Sequence, residues 1–480
     1  MTVAGGIERG DVAARRAVGK SARTVTPRGS HQGWSAPPDR ADPVALLMAQ
    51  NLTREQDLVP VRHGRMLTGP FPFFRGAAKI MAADLATTPR AGLTVQLCGD
   101  AHLSNFGAFA SPERTLLFDL NDFDETLPGP FEYDVKRLAA SCAVAARSNG
   151  FTPAEQRDVT TASVRAYRDA MSEFAEMRTM DVWYARRSVE DIAAALELHG
   201  GAQKDKARRR TVEAAAKAAR KGSQKAMTRD SLQALDKLAE RVDGTYRIVS
   251  RPPIVIPARD LVGHFGLASA EELDAVVRRL LNSYRATLQG DRLHLLERFE
   301  IVDVARKVVG VGSVGTRAFI ALLRGRDDGD PLFLQLKEAN ASVLEDHLPR
   351  SRYRNPGRRV VEGQRLMQAS SDIYLGWATG VEDGRYYYWR QLRDMKAAAV
   401  VETMDPVVLG LYAGECGWTL ARAHARSGDP VAISAYLGKR DEFDRSVTDF
   451  SMRYADRNEE DYAAFQDAAR TGRIEVVEGL

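Results

Sequence analysis

The sequence predicts an α+β protein of two lobes, a large helical lobe and a β-rich lobe that comes late in the chain. With 480 residues, the chain is too long for one simple hydrophobic core. Helical patterns dominate residues 43–300, strand patterns dominate residues 301–395, and helical patterns return over residues 396–480. The β-rich lobe is therefore predicted to interrupt the helical lobe, which residues 396–480 complete with a hinge and C-terminal helices.

Composition narrows the class of protein. Hydrophobic residues make up 44% and the net charge is +4, which gives no reason to expect a nucleic-acid partner. No apolar run reaches the ~18 residues of a membrane span. Cys98, Cys142 and Cys416 lack metal-binding spacing, so we expect reduced thiols in a cytoplasmic protein. Residues 1–42 are rich in Gly, Arg, Ser and Pro and are predicted to form a disordered arm.

A motif suited to metal and phosphate follows the first predicted strand, residues 92–97. The strand stops at Gly99, Asp100 comes next, and Asn105 follows five residues later. Phosphoryl-transfer enzymes use this spacing, with the Asp orienting or deprotonating the attacking hydroxyl and the Asn binding Mg²⁺. His102 lies between them and is expected to shape the loop by hydrogen bonding or, alternatively, to carry a proton.

A second predicted strand, residues 115–120, leads into an acidic run that contains Asp119, Asp122 and Asp124. Mg²⁺ takes oxygen ligands and is usually held by one or two carboxylates together with substrate phosphates. Each of the three residues is a candidate metal ligand. The alternative for the whole run is a surface turn beside a helix N-cap.

A glycine motif lies about 200 residues downstream. It fits Gly-x-Gly-x-x-Gly, a pattern shared by dinucleotide-binding folds and kinase nucleotide lobes. Its candidate phosphate-binding residues are Gly310, Gly312, Ser313 and Gly315. A dinucleotide fold requires a helix directly after the glycines, whereas residues 316–323 favour a strand.

A further predicted strand, residues 332–336, ends in Lys337. The order of strand, glycine turn, strand, turn and strand with lysine is that of a kinase nucleotide lobe, in which the lysine contacts the ATP phosphates. Such a lysine needs a carboxylate partner from a helix. We expect Glu362 to be that partner, with Glu345 as the second choice.

The pattern Gly-Asp-x-His-x-x-Asn, then an acidic strand and Tyr-Asp-Val, resembles the aminoglycoside and choline phosphotransferase branch of the protein-kinase-like superfamily. The resemblance places the second metal-binding Asp about 12 residues before the Tyr-Asp, and counting back from Asp134 points to Asp122. It implies an enzyme that uses ATP and Mg²⁺ to phosphorylate a hydroxyl of a small molecule. In such an enzyme Asp100 would be the base, and Asn105 and Asp122 the metal ligands.

The two motifs come in the reverse of the usual kinase order, because the Asp100 motif precedes the glycine motif. Residues 411–427 resemble the helix that normally leads into the catalytic loop, yet they lie near the C-terminus. The sequence therefore predicts a circularly permuted kinase-like fold, cut just before the catalytic loop. Permutation is physically acceptable where the broken connection is a surface loop.

A closer resemblance covers roughly residues 45–470. The chain resembles a bacterial family known as domain of unknown function 2252, in the phrases FFRGAAKIMAADL, CGDAHLSNFG, FDLNDFDET, GVGSVGTR, LQLKEA and RVVEGQRLMQ. This family implies no particular reaction or substrate. The kinase-like interpretation therefore depends on the motifs themselves.

Other functions stay open at this point. The same parts could transfer a nucleotidyl group, or serve a nucleotide-binding pseudokinase, and the glycine motif alone could belong to a dinucleotide-dependent oxidoreductase. The strongly basic stretch of residues 204–225 is either a solvated helix face or a clamp for an anionic substrate or the ATP phosphates.

Overall fold

The computed structural model describes residues 10–265, 268–308, 310–380, 384–392 and 395–479, and it confirms an α+β protein. The α-helices of these residues are α1 (Val12–Val25), α2 (Pro43–Asn51), α3 (Val59–Met66), α4 (Pro70–Gly76), α5 (Ala78–Ala86), α6 (Phe131–Ser148), α7 (Pro153–Glu176), α8 (Thr179–Tyr184), α9 (Val189–Ala202), α10 (Lys206–Met227), α11 (Ser231–Leu238), α12 (Ala270–Arg285), α13 (Gly290–Leu296), α14 (Pro356–Met367), α15 (Pro406–Ser427), α16 (Pro430–Leu437) and α17 (Glu442–Arg470).

The strands form four antiparallel sheets, of which the largest has the order β11-β12-β10-β9-β8-β7. The strands are β1 (Thr94–Leu97), β2 (Phe106–Ala110), β3 (Leu116–Leu120), β4 (Leu127–Pro130), β5 (Ala239–Val242), β6 (Thr245–Ile248), β7 (Val255–Pro257), β8 (Glu300–Lys307), β9 (Ala318–Arg324), β10 (Pro331–Glu338), β11 (Gly376–Thr379), β12 (Tyr386–Gln391) and β13 (Ala397–Ala398).

Long helices, among them α6, α7, α15 and α17, form the centre of the helical lobe. Helix α7 begins with a reciprocal capping box between Thr152 and Glu155, and Pro153 takes its first helical position. Helix α15 packs along α7 at Gly417, where any side chain would collide with the Ser163 carbonyl oxygen. Close helix packing of this kind gives the two small sheets a rigid support.

Two small sheets carry the acidic motifs. Strand β1 pairs with β4, and β2 pairs with both β3 and β13. The loop that contains Asp100, residues 98–105, thus lies between β1 and β2, and the acidic run continues from β3 toward β4. The Asn121 N–H donates to the Asn105 carbonyl oxygen at 2.8 Å, which joins the two loops directly.

The six-stranded sheet carries the glycine turn, residues 310–315, between β8 and β9, and Lys337 near the end of β10. Residues 318–324 form strand β9, as favoured by the sequence. Because a dinucleotide-binding turn leads directly into a helix, this strand removes the basis of the oxidoreductase alternative.

The β-rich lobe begins before the predicted boundary at residue 301. Strand β7 pairs with β8 in the large sheet, and α12 packs against β11. The Tyr284 ring of α12 stacks on Trp389 with ring centroids 4.9 Å apart, and both side chains are buried. Helix α12 is helical, as predicted for this part of the chain, but it packs against the large sheet and so belongs with the β-rich lobe.

The prediction of a disordered arm over residues 1–42 is wrong for residues 10–42. Asp11 caps helix α1, and Gly19 lets that helix approach the main chain of α16 at Ala432. Arg15 forms an ion pair of 2.6 Å with Asp429. The polar composition did not indicate this helix, because its stability comes from tertiary contacts. Residues 1–9 lie outside the described part of the chain.

Cys98, Cys142 and Cys416 are buried and free, which agrees with the absence of a disulfide framework in the sequence. Among the described helices, none combines the length and the hydropathy that crossing a bilayer requires.

Candidate functional site

Residues from the two distant motifs line one cavity of about 420 Å³. The first motif region contributes Asp100, His102, Asn105, Asp122, Asp124 and Glu125. The second contributes Gly310, Gly312, Ser313 and Glu338. The wall of this cavity therefore combines carboxylates with a glycine-rich turn, although about 200 residues separate them in the chain.

Asp100 lies at the start of the loop of residues 98–105, whose backbone is anchored by hydrogen bonds. The Asp134 carboxylate accepts hydrogen bonds from the backbone N–H groups of Cys98 at 2.8 Å and Gly99 at 3.0 Å. Gly99 has a φ of 85° and lies against the main chain of Glu125, so only glycine fits there. Burial raises the pKa of Asp100, although Arg137, which donates to its Oδ1 at 2.8 Å, opposes the rise.

Asn105 and His102 complete the loop. The Asn105 Nδ2 donates to the Asp100 carbonyl oxygen at 2.6 Å, which leaves its Oδ1 for a ligand. The His102 Nε2 lies 3.7 Å from Asp100 Oδ2, and its buried Nδ1 has no hydrogen-bond partner. Burial lowers the pKa of His102, as do the nearby charges of Arg75 and Arg137, so the imidazole is neutral.

Lys337 reaches across from β10 to the acidic run. Its buried Nζ forms an ion pair with Asp124 and donates to Ser313 Oγ at 2.9 Å. None of the described helices supplies a carboxylate to this ammonium group. Burial works to lower the pKa of Lys337, but Asp122 and Asp124 outweigh burial and raise it. The ammonium group thus stays charged inside the cavity wall.

Asp122 and Asp124, two of the three candidate metal ligands in the acidic run, differ in how many hydrogen bonds their carboxylate oxygens already accept. Asp124 accepts from Lys337 and, at 2.8 Å, from the Tyr388 hydroxyl. Asp122 accepts from the Asp124 backbone N–H at 3.1 Å, and its Oδ2 lies 3.7 Å from Lys337 Nζ. Asp122 therefore has more lone-pair capacity left for a cation than Asp124 has.

The glycine turn is fixed by arginines from the helical lobe. Arg65 donates to the Gly310 carbonyl oxygen at 2.5 Å, and Arg54 donates to the Val314 carbonyl oxygen at 2.6 Å. Gly310 and Gly315 have φ values of 68° and 84°, which favour glycine. Gly310, with Gly312 and Ser313, lines the cavity, whereas Gly315 shapes the turn from outside it.

The prediction that Glu362 pairs with Lys337 is wrong. Glu362 lies on the outer face of α14, 3.9 Å from Arg358 and 4.0 Å from Arg365. The second choice, Glu345, caps a short helical turn and lies 3.9 Å from Arg359. The partners of the lysine come instead from the acidic run.

The prediction of Asp119 as a metal ligand is also wrong. Its side chain is buried beneath β3, forms an ion pair with Arg422 of α15, and accepts from the Ala369 N–H at 2.8 Å. Asp119 does not line the cavity. It connects β3 to the helical lobe and so supports the strand that carries Asp122 and Asp124.

Replacing Asp119 with alanine should lower the free energy of unfolding by about 3–5 kcal/mol, because Arg422 would stay buried without its counter-ion. Urea denaturation of the variant measures this loss. Glu362→Ala serves as the control, since its ion pairs are long and partly exposed and should contribute less than about 1 kcal/mol. Wild-type stability of the Asp119 variant would contradict the structural role.

Sequence reasoning assigned no role to three residues of the cavity wall, Glu125, Arg54 and Arg75. Burial raises the pKa of Glu125 to about 7, although Arg359 opposes the rise. Arg54 and Arg75 line the cavity from the segments before the first strand. Arg75 belongs to the phrase FFRGAAKIM, but a single arginine has no spacing that would reveal its role.

The basic stretch forms helix α10, and none of its residues lines the cavity. Arg209 pairs with Glu213 at 2.8 Å on the same helix, and Arg220 pairs with Glu197 of α9. These contacts favour the solvated helix face over the phosphate clamp.

A second group of possible metal ligands, Glu55, Asp57 and His264, lies outside this set of cavity residues. Arg317 lies 2.5 Å from Glu55, and Arg306 lies 2.8 Å from Asp57. Because arginines already balance both carboxylates, the group is an ion-pair cluster.

Comparison with models of known protein families identifies the family of the chain. Residues 54–468 match the model of a family described as "Uncharacterized protein conserved in bacteria (DUF2252)". This span is most of the chain, so the chain belongs to that family, as its motifs predicted. A comparison with curated proteins and one with solved structures found no match.

Proposed function

We propose that this member of the DUF2252 family is a phosphotransferase that uses ATP and Mg²⁺ to phosphorylate a hydroxyl of a small molecule. The observation that carries the proposal is the ion pair between Lys337 and Asp124, two residues 213 positions apart. The pair joins an acidic loop of the metal-binding type to a strand that follows a glycine turn. These are the two halves that phosphoryl transfer from ATP requires.

The arrangement of the β-rich lobe supports a kinase-like nucleotide site. The glycine turn joins β8 to β9, and Lys337 lies on the third consecutive strand, β10. In protein kinases a glycine-rich loop covers the phosphates and a lysine on the third strand contacts them. By this comparison the glycine turn would cover the phosphates of ATP.

The position of α15 supports a circular permutation. Ser427, at the end of this helix, accepts a hydrogen bond of 3.0 Å on Oγ from the Gln96 N–H of β1, 331 residues away. Strand β1 leads directly into the Asp100 loop. By this comparison α15, from the C-terminal part of the chain, would correspond to the helix that precedes the catalytic loop in a kinase-like fold.

The proposed base is Asp100. Arg137 holds its Oδ1, which leaves Oδ2 to accept the proton of the acceptor hydroxyl. The raised pKa of Asp100, caused by burial, makes the carboxylate a better proton acceptor than a solvated aspartate.

The donor set fits a Mg²⁺ ion, because Asn105, Asp122 and Asp124 offer hard oxygen atoms. Asp122 and Asp124 together carry more negative charge than the single ammonium group of Lys337 can balance, which favours binding of a cation. We assign Asn105 and Asp122 as the metal ligands and keep Asp124 as the partner of the lysine. Mg²⁺, when bound, neutralises charge on the phosphates.

Labelled ATP tests this function. Purified full-length protein is incubated with Mg²⁺, a bacterial metabolite extract, and ATP labelled at either the γ- or the α-phosphate. We expect the γ-label to appear on a small molecule, with Glu362→Gln as active as the wild type.

The other outcomes separate the competing functions. Transfer of the α-label would show a nucleotidyltransferase, and thermal stabilisation by ATP without transfer of either label would show a nucleotide-binding pseudokinase. A protein that ATP does not stabilise would contradict every kinase-like interpretation of the cavity.

A further inference from the structure

Helices α4 and α5, which contain the phrase FFRGAAKIM, supply two basic side chains to the cavity wall, Arg75 and Lys79. The proposed roles in phosphoryl transfer use neither of them. Arg75 lies in the last turn of α4, and Lys79 lies in the first turn of α5. The presence of both side chains in the cavity wall indicates that residues 75–79 do more than pack the helical lobe.

Most charged groups around the cavity have a charged partner within the protein. Lys79 pairs with Asp346 at 2.6 Å, and Glu338 pairs with Arg385 at 3.0 Å. Asp100 pairs with Arg137, and Lys337 pairs with Asp124 and lies 3.7 Å from Asp122.

Among the described residues of the cavity wall, three charged groups form no ion pair: Arg54, Glu125 and Arg75. Arg54 and Glu125 are held by hydrogen bonds to the main chain, at 2.6 Å to the Val314 carbonyl oxygen and 2.7 Å from the Val343 N–H, whereas the Arg75 side chain has no such hydrogen bond.

The Arg75 Nε is buried without a hydrogen-bond partner, and its guanidinium forms no ion pair with any described residue. Burial lowers its pKa, while the more distant charges of Asp100 and Glu402 oppose this. A guanidinium nevertheless stays charged, and a partly buried charge that lacks a partner in the protein favours binding of an anionic ligand.

The main chain of Arg75 borders the glycine turn, because its carbonyl oxygen lies against Gly312, but its guanidinium is near enough to the base to interact with the charge of Asp100. Arg137, which holds Asp100, also donates to the carbonyl oxygen of Phe74, the neighbour of Arg75, at 2.8 Å. Arg75 is close enough to His102 to lower the pKa of that imidazole. Lys337 and Ser313, by contrast, mark the phosphate side of the cavity.

We infer that Arg75 anchors an anion subsite for the acceptor, so that the acceptor carries a carboxylate or a phosphate group besides the hydroxyl that is phosphorylated. The inference rests on the proposed phosphotransferase function. A guanidinium binds either anion through two parallel hydrogen bonds. An anion on Arg75 would hold the acceptor hydroxyl near Asp100 and reduce the number of orientations it samples.

Direct binding tests the subsite without turnover. Inorganic phosphate and acetate are titrated by calorimetry into full-length protein that holds either Mg²⁺–ADP or Mg²⁺ with a non-hydrolysable ATP analogue. We expect both anions to bind in both complexes and Arg75→Gln to weaken them about tenfold or more. The exposed residue Arg440 provides the control Arg440→Gln, which should bind like the wild type.

Two results of the titration would overturn the inference. Equal anion binding by the wild type and Arg75→Gln would show that Arg75 holds no anion. Binding to the ADP complex alone would assign Arg75 to the terminal phosphate of the nucleotide instead of the acceptor. Folding of Arg75→Gln is checked by its melting temperature, which should not fall, because Arg75 has no partner to lose.

A fractionation tests the acceptor itself. The metabolite extract is passed over an anion exchanger at pH 8, and the flow-through and bound fractions are assayed with γ-labelled ATP. We expect the acceptor only in the bound fraction, with a KM about tenfold higher in Arg75→Gln and an unchanged KM for ATP. An acceptor in the flow-through would overturn the inference yet leave phosphoryl transfer standing, whereas no transfer from any fraction would contradict the proposed function itself.

Discussion

Replacing Asp100 with asparagine is expected to lower kcat for phosphoryl transfer by about 10²–10⁴-fold, the usual contribution of a positioned general base. Asparagine keeps the size of the side chain and can still lie beside Arg137, but it cannot accept the hydroxyl proton. ATP binding should persist, because Lys337 and the glycine turn are untouched. Steady-state rates with the identified acceptor, together with the dissociation constant for ATP, measure the two effects separately.

The matched control for this change is Glu362→Gln, which also turns a carboxylate into an amide. Glu362 lies on the outer face of α14 and faces two arginines, so we expect full activity. An Asp100→Asn variant that retains more than about a tenth of wild-type kcat would exclude Asp100 as the base. Loss of ATP binding in the same variant would show that the loop had collapsed.

Replacing Lys337 with methionine is expected to abolish stabilisation by ATP while changing the stability of the free protein little. The ammonium group is buried, whereas the Asp124 side chain is 26% exposed and can be hydrated when its partner is removed. Methionine fills the space of the lysine stem with apolar atoms. Melting temperatures with and without Mg²⁺–ATP test both halves of this expectation.

The reverse change completes a double-mutant cycle. Asp124→Ala should cost about 3 kcal/mol, because Lys337 would remain buried with only Asp122, 3.7 Å away, near its charge. The double variant should recover most of that loss, since neither member of the pair is left buried without the other. Additive effects would show that the two side chains do not interact.

The parts of the site that the sequence predicts correctly are those encoded by short stretches of chain. The Asp100 loop follows one strand, the glycine turn joins two strands, and Lys337 lies one residue before the end of β10. Each depends on local signals such as a glycine with positive φ. The sequence therefore predicts the pieces of the site, and it predicts the order in which the chain presents them.

The errors concern partners that only tertiary structure selects. Glu362 has a suitable spacing, but the rotation of α14 turns it outward, and no local signal sets that rotation. Asp119 stands in the acidic run, yet the alternation along β3 directs it to Arg422 rather than the cavity. The sequence could not assign a role to Arg75 for the same reason, because its significance lies in the lack of a partner.

The chain separation between Asp124 and Lys337 has a consequence for synthesis of the protein. At typical translation speeds of ~5–20 residues per second, the 213 intervening residues take about 10–40 s to emerge. During that interval the nascent chain has its acidic loop without the lysine or the glycine turn. A nascent chain that ends before Lys337 would therefore lack the proposed phosphate-binding lysine, and the proposed catalytic centre would be complete only after most of the polypeptide has been made.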